Sequence, residues 1–360
     1  MAAIDKLTPN DSRIQHGFTE VKGHNWRKHQ PHPRSGTHTD PPHPDYLDIA
    51  AQTPQKGTVV LIHGWPDISL AWRYQIPLLS SLGFRCIALD CMGYGETGTS
   101  SNLSDFTYRT HAEAISGIAK AIGAHRIILG GHDWGGMVVY RAAQWLPELV
   151  SHVFSVATPY MGVQERYVSN EELVKGPLPQ FAYQLQLSSV EEKVEKVVQG
   201  EVRMRRFLTG MYGGKAKSRR VALTPENGVD LELVADESDE IGPSPLFNEE
   251  EMDYYVKQFL KNGIHGPCNW YRTRKLNHED DQQLPAASKS GVQQPVLFIQ
   301  ALHDNVLKPE MSKGMERSIK HLTRGEVPAS HWALWHTPQQ TNKLIKDWVE
   351  GVVLGGKTKL

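Results

Sequence analysis

Cysteine is scarce in this chain, with three in 360 residues, at Cys86, Cys91 and Cys268. An odd number with one member far from the other two does not read as a disulfide framework, so free thiols in a reducing compartment are expected. Charge of one sign is missing too. The formal net charge is −1, which supplies no field for a nucleic acid or another polyanion. No apolar run approaches the ~20 residues that span a bilayer, and no basic-then-apolar leader opens the chain. A cytoplasmic chain without a membrane span, monomeric or homodimeric, is the expectation. Internal repeats are absent as well. The final Lys357-Thr358-Lys359-Leu360 approximates the Ser-Lys-Leu peroxisomal address with threonine in place of serine, which leaves a peroxisomal location open. Six histidines fall within the first fifty residues, from His16 to His43, several beside proline. No helical His-x-x-x-His pair or cysteine partner accompanies them, so neither a metal nor any other cofactor is expected. An antiparallel strand pair joined by a Pro-rich loop accounts for that region.

What is present is enough apolar residue, 39% of the chain, to bury a large core and carry an insertion. Five short apolar runs read as buried parallel strands: Thr58–Ile62, Arg85–Leu89, Arg126–Leu129, His152–Ala157 and Val296–Gln300. Helical spacing separates them, with Ala112, Ile115, Ile118 and Ile122 on one stripe and Leu344, Ile345, Trp348 and Val352 on another. Alternating strands and helices predict an α/β fold with a mostly parallel, doubly wound sheet, whose ligand lies beyond the carboxyl ends of the strands. Between Thr158-Pro159 and Pro295 that alternation stops. Helical signals take over, including Ser189 and Glu192 as a capping box and Asn248 and Glu251 as another, whose helix closes at Asn262-Gly263. The expected organisation is a core from 1–160 and 291–360, with a helical lid from 161–290 inserted between its parts. Within the lid, the acidic Leu223–Pro245 stretch reads as a mobile surface loop.

The most informative stretch is Gly131-His132-Asp133-Trp134-Gly135-Gly136, between the Arg126 strand and a helical run from Met137. Strand, sharp turn and helix is the setting of a nucleophile elbow, here with aspartate where serine is usual. The following helix points its positive end at Asp133 and favours the ionised carboxylate. A carboxylate nucleophile suits displacement at a saturated carbon and leaves an ester that a second step must break. Strained ethers and alkyl halides are the substrates such chemistry admits.

That second step needs a base for water and a group to orient the base. His331 follows a last short strand, Gly325–Ser330, and would sit at the sheet edge where Asp133 emerges. His336 competes, but Thr337-Pro338 opens a helix and turns it away; His132 is expected to face inward. Asp304 follows the Val296 strand on the same edge and suits the orienting role, in the chain order nucleophile, acid, histidine. His63-Gly64-Trp65-Pro66-Asp67 closes the first core strand. Trp65 and Trp134 are the candidates for an oxyanion hole through their backbone N–H groups, and a cis bond before Pro66 suits so tight a turn. His63 and Asp90-Cys91-Met92-Gly93-Tyr94-Gly95 read as structural. The tryptophans Trp65, Trp134, Trp270, Trp332 and Trp335 predict an aromatic cavity, with Trp65, Pro66, Trp134 and Trp332 as substrate-pocket candidates.

These motifs, together with Phe181-Ala182-Tyr183-Gln184-Leu185 and Gly263-Ile264-His265-Gly266-Pro267-Cys268-Asn269-Trp270-Tyr271-Arg272 in the lid, resemble the soluble epoxide hydrolases of the α/β-hydrolase fold, from about Gly17 to Gly351. The resemblance implies a small hydrophobic epoxide and water as reactants. It also implies that Tyr183 and Tyr271 hydrogen-bond the epoxide oxygen and protonate the leaving alkoxide. Phenol is acid enough to protonate an alkoxide, so the chemistry is sound. Cys268 departs from the family, which often has leucine there. Two other functions stay open. Haloalkane dehalogenases share the Asp-Trp elbow without requiring paired lid tyrosines, and halide release from bromoalkanes would reveal one. A non-catalytic ligand-binding relative would hold a ligand unchanged.

Overall fold

Runs of β-branched and aliphatic residues with no polar interruption make strands that are covered on both faces, and the first of them, Thr58 to Ile62, is buried throughout. The computed structural model describes residues 4–19, 21 and 45–355. The Pro- and His-rich stretch 31–44 and the terminal Lys357–Leu360 fall outside the described residues.

Among the described residues the main sheet has eight strands: β1 (Gln15–Phe18), β2 (Asp45–Ile49), β3 (Gly57–Ile62), β4 (Phe84–Leu89), β5 (Ile127–His132), β6 (Val150–Val156), β9 (Val296–Ala301) and β10 (Leu322–Val327). A two-stranded hairpin, β7 (Leu223–Thr224) with β8 (Gly228–Val229), lies apart from it. The order across the sheet is β1-β2-β4-β3-β5-β6-β9-β10. The β1–β2 and β2–β4 pairs are antiparallel and all others are parallel. The strand order reverses direction around β3 and β5, where a doubly wound sheet opens its ligand crevice. Helices α1 (Gln75–Ser81), α2 (Tyr108–Ala121) and α3 (Trp134–Trp145) follow the early strands. Thr107 caps α2 by accepting from the Thr110 N–H, which satisfies one of its orphan donors.

Between β6 and β9 the chain is helical: α4 (Asn170–Lys175), α5 (Tyr183–Leu187), α6 (Lys193–Val197), α7 (Gly200–Met211), α8 (Leu231–Ala235), α9 (Glu249–Asn262), α10 (His265–Arg272), α11 (Arg274–Gln282) and α12 (Ala286–Lys289). After β10 come α13 (Ala333–His336) and α14 (Pro338–Trp348), which continues into a π-helical turn at Val349–Val353. No helix among the described residues is long and apolar enough to cross a membrane.

Three local expectations are corrected. Ser189 opens no helix. Its hydroxyl accepts from the Glu191 N–H in a local turn, and α6 starts only at Lys193, behind Glu192 in the left-handed region. Short local bonds of serine compete with helix initiation, and here they win. The Asn248–Glu251 capping box does form, and a second one at Ser169 and Glu172 opens α4. The acidic stretch 223–245 is built into the β7–β8 hairpin and α8, with Ala222, Leu233 and Val234 buried beneath. Arg206 holds it by donating to the carbonyls of Leu233, Val234, Asp236 and Asp239, a partner from α7 that local composition does not reveal. Finally, β10 begins at Leu322 rather than Gly325. It is an edge strand whose Arg324 and Glu326 are exposed while Gly325 and Val327 are buried, an alternation that dilutes the apolar signal.

Candidate active site

Strand β5 carries the chain to the sheet's carboxyl edge, and α3 departs from it at once, so the residue between them has little conformational choice. Asp133 sits there at φ 54° and ψ −122°, a strained backbone region that L-residues occupy only where the surroundings impose it. The surroundings are tight. A Cβ on Gly135 would lie 2.0 Å from the Ile62 carbonyl oxygen, and one on Gly64 would lie 2.3 Å from the Cβ of Asp133. Glycine at these positions lets strand, helix and the β3 loop converge on one carboxylate. Thr158, just past β6, donates its hydroxyl to the Asp133 carbonyl at 2.7 Å and braces the turn.

The backbone N–H of Trp65 donates to Asp133 Oδ1 at 2.7 Å, and the Trp134 N–H also bonds to this carboxylate. Both donors thus converge on the same side chain. The Trp65–Pro66 peptide bond is cis. Burial pushes the Asp133 carboxyl above the ordinary carboxylate range, while His331 and the two N–H groups pull it back down. The α3 amino end therefore opposes a larger desolvation rather than setting the net direction.

His331 Nε2 is 3.7 Å from Asp133 Oδ2, and His331 Nδ1 donates to Asp304 Oδ2 at 2.8 Å. The other Asp304 oxygen accepts from the Val306 and Leu307 N–H groups at 2.8 and 2.9 Å. This carboxylate is held in place by three donors. Burial opposes the charged ring of His331, but Asp304 and then Asp133 outweigh it and raise its pKa to about 9. Burial likewise raises Asp304, but His331 and its hydrogen bonds outweigh that, and the net shift is downward. His336 is exposed and bonded to the Ser330 hydroxyl, away from this cluster.

Tyr183 at the start of α5 and Tyr271 near the end of α10 are both buried, their rings edge to face at 5.8 Å. Tyr271 also meets Trp65 at 5.4 Å and Trp134 at 5.2 Å. Burial raises both phenols, and the Asp133 carboxylate adds to this, so both keep their protons at neutral pH. The structure therefore gathers Asp133, His331, Asp304, Trp65, Trp134, Tyr183 and Tyr271 at one edge. Pro66 is part of the same turn, its carbonyl accepting from the buried Tyr212 hydroxyl.

Trp332, Trp335 and Trp270 each hold a backbone carbonyl through the indole N–H. Trp332 stacks on Trp335 at 4.9 Å and donates to the Met211 carbonyl, while its edge meets His331. Trp335 donates to the Ala71 carbonyl and covers the Arg73 guanidinium. Trp270 donates to the Met92 carbonyl beside Tyr94. Trp270 thus ties the helical insertion to the core, whereas Trp335 bonds within the core and meets Tyr212 and Phe247 of the insertion through its ring.

Two further residues make contacts that the sequence reading did not foresee. His132, buried as expected, bonds through Nε2 to the His331 carbonyl at 2.9 Å and holds the loop that carries His331; burial and then His331 lower its pKa to about 3, so it is neutral. Asp67 accepts from the Tyr255 hydroxyl and the Ile68 N–H, each at 2.8 Å. Burial pushes it up to about 8. Its place beside the Trp65-Pro66 turn was the available signal, but its lid partner was out of sequence range.

An aspartate on a strained strand-to-helix turn of this sheet, with Asp304 and His331 following in chain order, is the arrangement of an α/β hydrolase, and a family model described as alpha/beta hydrolase fold matches residues 57–338. The chain is 37% identical over 359 residues to Epoxide hydrolase srdG of Neurospora crassa, covering 96% of this chain and 98% of that protein. It is 33% identical to Bifunctional epoxide hydrolase 2 of Sus scrofa over 81% of this chain and 51% of that longer protein. The chain belongs to the epoxide hydrolase family. An epoxide hydrolase from an endophytic Streptomyces shares the fold, with a TM-score of 0.74 at 21% identity over 96% of this chain and 97% of that one.

Proposed function

We propose that the protein opens epoxides to vicinal diols through an ester on Asp133. The observation that carries this reading is the Trp65 N–H at 2.7 Å from the Asp133 carboxylate, with two buried, protonated phenols close enough to feel its charge. Asp133 Oδ2 attacks a ring carbon, the carbon–oxygen bond breaks, and the departing oxygen takes a phenol proton from the Tyr183–Tyr271 pair. Two phenols on one oxygen also fix the carbon in line for attack.

Ester formation removes the charge of Asp133. His331 then loses one of the two carboxylates that hold it protonated, and its proton restores the phenol through solvent. The neutral ring takes a proton from water as the water adds to the Asp133 carbonyl carbon, and Asp304 stabilises the imidazolium. The Trp65 and Trp134 N–H groups steady the negative oxygen of that adduct. Collapse breaks the ester bond, and the alcohol leaves with the imidazolium proton. The new Asp133 carboxylic acid passes its proton to His331, which returns the site to its starting charges.

Within this reading the segment 161–290 is the lid, and 1–160 with 291–360 is the core that carries nucleophile, acid and base. Trp65, Pro66, Trp134 and Trp332 border the substrate. The test is a single turnover of styrene oxide in heavy-oxygen water. Label is expected in the Asp133 carboxylate before any appears in diol; label appearing first in the product would overturn the ester route.

A further inference from the structure

We propose that Gln184 makes Tyr183, rather than Tyr271, the phenol that surrenders its proton, by donating an amide hydrogen to the Tyr183 oxygen. The inference rests on the reading of these phenols as the acid pair and assigns unequal work within it. Gln184 is buried on α5, and its Nε2 lies 3.2 Å from the Tyr183 hydroxyl oxygen. A phenol oxygen carries one hydrogen and two lone pairs. With one lone pair taken by the amide, the hydroxyl hydrogen is left to point away from Gln184.

The larger effect comes when the proton leaves. A hydrogen bond to a neutral phenol is ordinary, whereas one to a phenolate is charge-assisted and roughly twice as strong. Gln184 thus gains strength as charge develops on Tyr183, which is the condition for lowering a barrier rather than only holding a ground state. The Tyr271 ring instead packs edge to face against Trp134 at 5.2 Å. Tyr183 therefore has a buried amide donor built onto its oxygen by its own helix. The support under Gln184 is firm: the Tyr183 N–H donates to the Pro225 carbonyl at 2.9 Å, and Gln186 bonds both ways to Val229 in the β8 hairpin strand, at 2.9 and 2.7 Å. Gln184 is therefore a positioning residue that acts through Tyr183.

The test compares Gln184→Leu and Gln184→Glu with the parent full-length chain, following ester formation by quenched-flow mass analysis. Two oxiranes are used, styrene oxide and a trifluoromethyl-substituted one whose alkoxide is much less basic. Loss of one donor is expected to slow alkylation of styrene oxide about tenfold. The effect on the trifluoromethyl oxirane should be several times smaller, and ester hydrolysis should be unchanged. Gln184→Glu keeps the shape and places a carboxylate against the forming phenolate, so it should be slower still; it decides the matter if the leucine variant does not fold. Tyr183→Phe should cost more than Tyr271→Phe. Equal slowing of both oxiranes, parent rates in both Gln184 variants, or an equal or larger loss in Tyr271→Phe overturns the assignment. Parent-like alkylation in both phenylalanine variants would instead bring down the acid-pair reading itself.

Discussion

His331 stands 3.7 Å from Asp133 through Nε2, beyond hydrogen-bond range, while its Nδ1 is fastened to Asp304 at 2.8 Å. The ring is therefore aimed at Asp133 by Asp304 and not by Asp133 itself. In the proposed mechanism it would keep its place when Asp133 becomes an ester, with a water beside that ester within its reach. Asp304→Asn should preserve alkylation and slow ester hydrolysis by roughly 10²- to 10⁴-fold, since both the ring's orientation and the stabilisation of its charge are lost. Mass analysis of the enzyme during turnover would show the adduct accumulating. Equal slowing of both steps would exclude this division of labour.

In the proposed mechanism the charge on Asp133 also sets when His331 can act as a base. With Asp304 and Asp133 both ionised, His331 is raised to about 9. In the ester only Asp304 remains, so the ring should titrate at lower pH. Hydrolysis needs the neutral ring, and its rate should rise with pH through that lower value. The check is to form the ester in a single turnover, jump the pH and follow diol release. A midpoint still at the free-enzyme value would refute the coupling.

How much of this was legible in the chain follows from the range of each signal. The β3, β4, β5, β6 and β9 strands are apolar on both faces, so their runs stand out without any knowledge of neighbours. The elbow was legible because Gly131, Asp133 and Gly135 lie within five positions of one another, and the sheet edge then indicated where Asp304 and His331 emerge. What stayed hidden depends on partners distant in sequence: Arg206 organising the acidic stretch, Tyr255 reaching Asp67, His132 holding the His331 carbonyl. Trp270 and Trp335 show the same limit. The Trp270 indole N–H reaches from the insertion to the Met92 carbonyl of the core, and that of Trp335 joins two distant parts of the core at the Ala71 carbonyl, uses that a count of tryptophans does not reveal.

The approach of Gly64 to the nucleophile makes Gly64→Ala a sharp probe. The added methyl would lie 2.3 Å from Asp133 Cβ and 2.5 Å from Oδ1, so either the carboxylate or the Trp65 loop must move. Displacement of about 1 Å at a reacting centre is worth roughly 10²-fold in rate. Alkylation should fall by at least that factor while circular dichroism stays unchanged. Parent activity would mean that the loop yields without disturbing the site.

Asp67 predicts a pH dependence of stability. Burial raises its carboxyl to about 8, whereas the unfolded chain has it near the ordinary value of about 3.9. Between those values the native state binds the extra proton, so stability falls as pH rises through that window. His331, raised to about 9, slopes the same way above about 6.5, where the unfolded ring gives up its proton. The difference between the parent and Asp67→Asn isolates the first contribution. The asparagine variant should lose less melting temperature than the parent between about pH 5 and pH 8, and parallel curves would show that Asp67 is not protonated in the folded state.

The insertion's last long helix is tied to the elbow helix by a buried pair: Arg141 on α3 donates through Nε and Nη2 to the two oxygens of Asp281 on α11, at 2.7 and 2.8 Å. A third nitrogen, Nη1, donates to the Gln144 side chain and the Met161 carbonyl, both at 3.1 Å, so the same guanidinium also holds the chain where it leaves the core. Desolvation of the two charges offsets much of their attraction, and the pair as a whole contributes little net stability. Removing one member is different, because the other is left buried and unpaired. Asp281→Leu should cost about 3–5 kcal/mol in denaturant unfolding, whereas the double change Arg141→Met with Asp281→Leu should recover most of that loss. The activity of the double variant then reports on placement alone. If α11 only needs an apolar contact there, alkylation will match the parent; if the bidentate geometry sets the insertion's seat over Asp133, KM will rise while the recovered stability stays.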